Sequence, residues 1–175
     1  MDKDMTKRLV AHKVRTPSWS TVTVTEENLE QLMNDTQLPA VVKPIASGSS
    51  IGVTIAHTKD DLRRGLEESI RLGGRTVLEQ YVKGREIQVA VLNGKALPPL
   101  RSFPRLISTT MPTSTSRRCP GGVPRRDSPE WEKKVGEAAV AVFEELGLAV
   151  YARADFIVAE DGQPYFLEIN TLPGM

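Results

Sequence analysis

Short stretches of alternating polar and apolar residues recur along the chain, separated by segments with apolar residues every three or four positions. The first pattern predicts half-buried strands and the second amphipathic helices. The most regular alternation lies near the C-terminal end. There the runs Ala154–Ala159 and Pro164–Ile169 flank Asp161-Gly162, a pair favoured in two-residue hairpin turns. With Asp161 and Gly162 as the central turn residues, Asp155 falls opposite Glu168 and Arg153 opposite Asn170, all on one face. Ala154, Phe156, Val158, Tyr165, Leu167 and Ile169 then form the buried face. Opposed Cβ atoms lie roughly 4.5–5.5 Å apart, where like charges destabilise a sheet. Two facing carboxylates therefore call for a cation, and an oxygen-only set of Asp, Glu and Asn suits a hard ion such as magnesium. A solvated polar face without an ion fits the same spacing.

The rest of the chain alternates short helices and strands. Asp2–Val14 has a helical pattern in which Met5, Leu9 and Val10 share a face, and Ser20–Val24 alternates as a strand. Thr25, followed by Glu26-Glu27, is an N-cap candidate ahead of the Leu29, Leu32 and Met33 stripe. Ala40–Lys43 reads as a buried strand ending on a lysine. The small-residue loop Pro44–Gly52 then leads into a strand over Ile51–Ala56. Its backbone N–H groups and serine hydroxyls could cradle phosphate, or it is a hairpin connection; it lacks the Walker A pattern. Thr58 and Asp61 form a capping box for a helix with Leu62, Leu66 and Ile70 on one side, stopped at Gly73-Gly74. Strands follow at Arg75–Glu79 and Glu86–Leu92, the second closed by Asn93-Gly94. The order implies an α+β fold with antiparallel pairing. Arg101–Arg126 has no apolar period and reads as a long loop. Ser128 and Pro129 then start a helix with Val135, Ala138, Ala139, Val142, Phe143 and Leu146 inward, ended by Gly147.

Composition narrows the function classes. The chain has 175 residues, enough for one domain or two small ones. With 23 Lys plus Arg against 22 Asp plus Glu, it carries no basic footprint for nucleic acid. No apolar run is long enough to span a bilayer, and there is no signal-peptide core. The single cysteine, Cys119, sits in a Cys-Pro-Gly-Gly turn and cannot form an intramolecular disulfide, so a reducing cytoplasmic setting is expected.

Taken together, several motifs give the chain a family likeness. These are Met1-Asp2-Lys3, Val42-Lys43-Pro44, Gly48–Val53, Leu78-Glu79-Gln80-Tyr81 with Gly84 and Glu86, and Leu97-Pro98. They continue with Cys119-Pro120-Gly121, Arg153-Ala154-Asp155 and Leu167–Met175. In order and spacing the chain resembles the D-alanine–D-alanine ligases of the ATP-grasp superfamily. The resemblance implies two small α+β subdomains sandwiching a nucleotide, one over 1–80 and the other, incomplete, over 81–175. It implies ATP and D-alanine as substrates and two magnesium (or manganese) ions, with no nucleic acid or membrane partner. Lys3 and Lys43 resemble the lysines that neutralise the phosphates, and Gly48, Ser49 and Ser50 the loop that closes over them, with Ser49 among the catalytic groups. Glu79, Gln80, Tyr81 and Val82 resemble the hinge that holds adenine, and Glu86 the residue on the ribose hydroxyls. Asp155, Glu168 and Asn170 match the metal ligands, while Arg153 and the Gly174 N–H resemble the donors to the tetrahedral oxyanion. A D-alanine–D-lactate ligase or another ATP-grasp carboxylate–amine ligase is the neighbouring alternative.

Four departures from the family pattern are expected to matter. Gln80 stands where lysine is usual. The family carries a domain before the Met-Asp-Lys motif, which grips the first D-alanine and makes most of the homodimer contacts. It also continues past the equivalent of Met175 with a Thr-x-x-Ser-Leu segment. The resemblance therefore also allows a remnant that only binds nucleotide, with marginal stability where covering domains are missing. Finally, Arg101–Arg118 lacks the F-Y-D-Y-x-x-K-Y loop. Back-translated with permitted codons and moved back one nucleotide, the segment can spell E-I-V-P-P-A-H-F-Y-D-Y-A-N-K-Y. Two compensating frameshifts bracketing Arg101–Arg118 are the expected cause, and the gene's nucleotide sequence decides it.

Overall fold

The computed structural model describes residues 2–45, 52–101 and 129–171. Within these residues the elements follow one another as α1 (Lys3–Val10), β1 (Trp19–Thr23), α2 (Leu29–Asp35), β2 (Ala40–Pro44), β3 (Thr54–Ala56), α3 (Lys59–Arg71), β4 (Arg75–Gln80), β5 (Gly84–Leu92), β6 (Lys95–Ala96), β7 (Leu100–Arg101), α4 (Pro129–Glu145), β8 (Tyr151–Ala159) and β9 (Pro164–Asn170). They build two sheets, one in the order β1-β4-β2-β3 and one in the order β6-β5-β8-β9 with β7 also on β5, and among the described residues every pairing is antiparallel.

Each sheet has its own apolar core. In the first, Val42 and Leu78 pack with Met33 of α2 and with Leu62 and Leu66 of α3. In the second, Ile87, Val89, Val91, Ala152, Ala154, Phe156, Phe166 and Ile169 pack with Val135, Ala139, Val142 and Phe143 of α4. Val10 of α1 joins this second core, so the first helix bridges from the chain's start to the last sheet. The Thr58–Asp61 capping box is present, with the Asp61 carboxylate held at a pKa of about 2, chiefly by hydrogen bonds from Thr58. The Asn93-Gly94 hairpin closes with both residues at positive φ, 49° and 73°.

Some expectations are corrected. In α1 the inward residues are Thr6, Lys7 and Val10, while Met5 and Leu9 are 58% and 47% exposed. The apolar pair was expected inside, but the helix turns a lysine inward to meet a buried carboxylate. Helix α2 starts at Leu29 rather than beside Thr25. Thr25 and Asn28 instead bond each other across a turn, Thr25 N–H to Asn28 Oδ1 at 2.8 Å. β3 starts at Thr54, and residue 51 lies outside the described residues, as do the loop expected from 102 onward, Cys119 and Ser128.

The C-terminal hairpin keeps its register at the functional end by a different route. The turn has three residues, Glu160-Asp161-Gly162. The Ala159 N–H donates to the Gln163 carbonyl at 3.0 Å, and Gly162 is at φ 75°. Near the turn Phe156 therefore faces Phe166, and Ile157 faces Tyr165. A bulge that leaves Leu167 as the extra residue of β9 shifts the ladder back, so Asp155 faces Glu168 and Arg153 faces Asn170 as the alternation predicts. The buried aromatic of β9 is accordingly Phe166, fully buried and edge-on to Phe156 at 5.7 Å. Tyr165 and Leu167 are only half-buried.

Gly84 opens β5 where the backbone of β8 comes closest. A Cβ there would lie 2.4 Å from the Val158 carbonyl oxygen, which cannot move without breaking the ladder. Gly84→Ala is expected to destabilise the chain by about 1–3 kcal/mol. Urea unfolding checks this; a midpoint equal to wild type would show that the strands do not approach this closely.

Candidate active site

Charged side chains gather on two sheet faces. The first face belongs to the four-stranded sheet. Val42 and Leu78 point to α2 and α3, so strand alternation sends Lys43 and Glu79 to the opposite side. Glu79 sits opposite Val41 on one neighbour and Trp19 on the other, with Lys43 diagonal to it. Lys43 Nζ donates to Glu79 Oε2 at 2.5 Å. Lys7 comes in from α1, its Nζ 2.9 Å from Glu79 Oε1 in an ion pair that lacks the angles of a directed hydrogen bond. Both of these side chains are 1% exposed, and Lys43 is 12% exposed. Trp19 closes the pocket from the side, its ring centroid 5.4 Å from Lys7 Nζ and its Nε1–H donating to Asp4 at 3.0 Å.

A carboxylate this deep is tolerable only because both its oxygens meet a cation; removing one partner of such a buried pair costs about 3–5 kcal/mol. Burial holds the Lys7 ammonium below the ordinary lysine pKa, with Glu79 opposing that shift and Lys43 adding to it. Lys7 is the residue that the sequence pattern missed. The available signal was its position, four after Lys3 and three before Val10, which puts a lysine on the helix side that carries the buried residue. Lys3 opens α1 directly after its cap, Asp2, on that same side.

The expected hinge runs out of β4. The Gln80 N–H donates to the Ser18 carbonyl at 2.8 Å, and the Tyr81 N–H to the Pro39 carbonyl at 3.3 Å. These two donors are committed to the protein. The Tyr81 ring packs edge-on against His57, centroids 5.2 Å apart, and Val82 is half-buried.

The second face lies on the five-stranded sheet, away from α4. The hairpin register places Asp155 beside Glu168 and Arg153 beside Asn170, and β5 adds Gln88 opposite Asp155 and Glu86 two residues further along. Asp155 is 5% exposed and is gripped by Arg153, Nε to Oδ1 at 2.8 Å and Nη2 to Oδ2 at 2.9 Å. The Asn170 amide touches both acids, 3.4 Å from Asp155 and 3.5 Å from Glu168. Burial raises the Asp155 pKa, Arg153 lowers it, and the charges of Glu168 and Glu86 raise it again.

The donor chemistry fits a hard divalent ion. All three side chains offer oxygen, the amide presents its oxygen once turned over, and the like charges that burden Asp155 are what a cation would relieve. Among the described residues there is no group of three or more His, Cys, Asp or Glu side chains that could hold a metal ion. Gly48, Ser49, Ser50 and Gly174 lie outside the described residues. No helix of the described residues is long and apolar enough to cross a membrane.

Two antiparallel α+β units, one presenting lysines and the other acids and an amide, are the ATP-grasp architecture. The family model described as "D-ala D-ala ligase C-terminus" matches residues 12–175. A D-alanine–D-alanine ligase of Clostridium botulinum is 36% identical over 179 residues, covering 100% of this chain and 58% of the relative; ligase B of Clostridium perfringens is 32% identical with the same coverage. Among solved structures, the ligase of Bacillus anthracis superposes with a TM-score of 0.72 at 33% identity, over 99% of this chain and 57% of that one. Its complex with ATP gives 0.69 at 31%, over 99% and 54%. The chain belongs to the D-alanine–D-alanine ligase family, and it spans less than two thirds of the length of these relatives.

Without an ion, Asp155 holds its proton more tightly folded than unfolded. Its contribution to stability is therefore present below its ordinary value of 3.8 and is lost as pH rises through the raised folded value. Glu168→Gln removes a neighbouring negative charge but also a candidate metal ligand. In EDTA the variant is expected to melt no lower than wild type, while lacking the rise in melting temperature that magnesium with ADP is expected to give wild type. Melting curves in both buffers check this; a full magnesium-dependent rise in the variant would exclude Glu168 as a ligand.

Proposed function

We propose that this chain is the nucleotide- and metal-binding part of an ATP-dependent D-alanine–D-alanine ligase, which makes the dipeptide for peptidoglycan. The observation that carries the reading is the convergence of Asp155, Glu168 and Asn170 on one sheet face. The ATP complex of the Bacillus anthracis relative supports the choice of nucleotide. The two separate sheets and cores support a division into a unit over 1–80 and one over 81–175, with α1 laid across to the second.

In the reaction, a carboxylate oxygen of one D-alanine attacks the γ-phosphorus of ATP, and ADP leaves. The amine nitrogen of the second D-alanine then attacks the acyl phosphate carbon, and phosphate leaves as the peptide bond forms. Lys3 and Lys43 offset phosphate charge, with Gly48, Ser49 and Ser50 closing over it. Gln80, Tyr81 and Val82 line the base, whereas the Glu79 side chain, expected beside them, is sealed between Lys7 and Lys43 instead; Glu86 takes the ribose hydroxyls. Asp155, Glu168 and Asn170 would hold magnesium or manganese, two ions in all, whose chemistry is to neutralise the phosphate oxygens. Arg153 uses two of its five N–H groups on Asp155, leaving others to stabilise the tetrahedral oxyanion together with the Gly174 N–H. A donor of that kind contributes about 2.7–4 kcal/mol.

Calorimetric titration with ATP tests this. Binding in magnesium that disappears in EDTA is expected, and no binding in either buffer would overturn the reading. Phosphate release in the presence of D-alanine then separates a working ligase unit from a remnant that only binds nucleotide.

A further inference from the structure

We propose that Lys7 is a positioning residue for the nucleotide phosphates: sealed inside the protein, it neutralises Glu79 so that Lys43 keeps an unmatched positive charge. The inference rests on the nucleotide-binding reading and states how the phosphate end of that site acquires its charge.

Three observations carry it. Both oxygens of Glu79 are occupied, Oε1 by Lys7 at 2.9 Å and Oε2 by Lys43 at 2.5 Å. Exposure grades across the group, 1% for Lys7, 1% for Glu79 and 12% for Lys43, so Lys43 alone opens toward solvent. The group counts two cations and one anion, a net charge of +1. Without Lys7, Glu79 and Lys43 would cancel as a closed pair, and an arriving phosphate would have to break that pair to reach the ammonium. A buried lysine is also an expensive packing element, because an apolar residue of similar volume stabilises a core as well or better. Its presence next to a single shared carboxylate is explained by the charge count. Lys7 cannot act by touching the ligand; it acts through Glu79 and Lys43.

The charge count predicts its own rescue. Lys7→Met brings the group to zero, and Lys7→Met with Glu79→Gln returns it to +1. Affinities of the full chain for magnesium·ATP and for adenosine, which carries no phosphate, separate charge from packing. Lys7→Met is expected to weaken ATP binding by about tenfold, the effect of one nearby unit charge in a partly screened site, and to leave adenosine binding unchanged. The double variant is expected to recover the ATP affinity. Should Lys7→Met not fold, Lys7→Gln, whose amide can still donate to Glu79, makes the same test. An unchanged preference for ATP over adenosine in the single variant, or no recovery in the double one, overturns the role of Lys7 alone. A wild-type chain that binds no magnesium·ATP overturns the nucleotide reading and this inference with it.

Discussion

The pairing of β8 with β9 is what the functional face depends on. Two acids and an amide meet because two strands run antiparallel in one register, and a slip of one residue would send Glu168 and Asn170 into the apolar core. That register is set twice. The three-residue turn at 160–162 offsets the strands by one, and the bulge at Leu167 restores them before the acids are reached. Phe156 and Phe166 lock the offset half by packing against each other and α4's side of the sheet. The same faces stay separate all along the hairpin, one apolar and one carrying charge.

The two charged faces have opposite characters, and both follow from burial. On the first sheet a single carboxylate is outnumbered by lysines; on the second, Asp155, Glu168 and Glu86 outnumber Arg153. A nucleotide triphosphate with a divalent ion needs both, since its oxygens favour cations while the ion favours carboxylates. Each face is left with the charge that its half of such a ligand would balance. Burying Glu79 and Asp155 makes each imbalance costly.

Much of this was legible in the sequence, because it rests on local rules. The capping box at Thr58, the Asn93-Gly94 turn and the helix after Pro129 each depend on a few neighbouring residues, and all three elements stand where those residues put them. The pairing of Asp155 with Glu168 was legible too, although for a reason that was partly wrong: the turn is longer than Asp161-Gly162 alone and the bulge compensates. Bulges leave no mark on alternation until the partner strand is known, so the exchange of Tyr165 and Leu167 for Phe166 could not be read ahead. The inward lysine of α1 was hidden for another reason. An apolar stripe of Met5, Leu9 and Val10 outweighs one lysine in any periodicity, and only Glu79, far along the chain, explains why Lys7 turns in.

A paramagnetic ion reports the location of the metal site directly. With manganese and ADP bound to isotopically labelled chain, the side-chain amide resonances of Asn170 should broaden beyond detection. Those of Gln163, at the turn end of the same hairpin and roughly 20 Å away along the strand, should stay sharp. Sharp Asn170 resonances in the manganese complex would contradict the placement of the ion between Asp155 and Glu168.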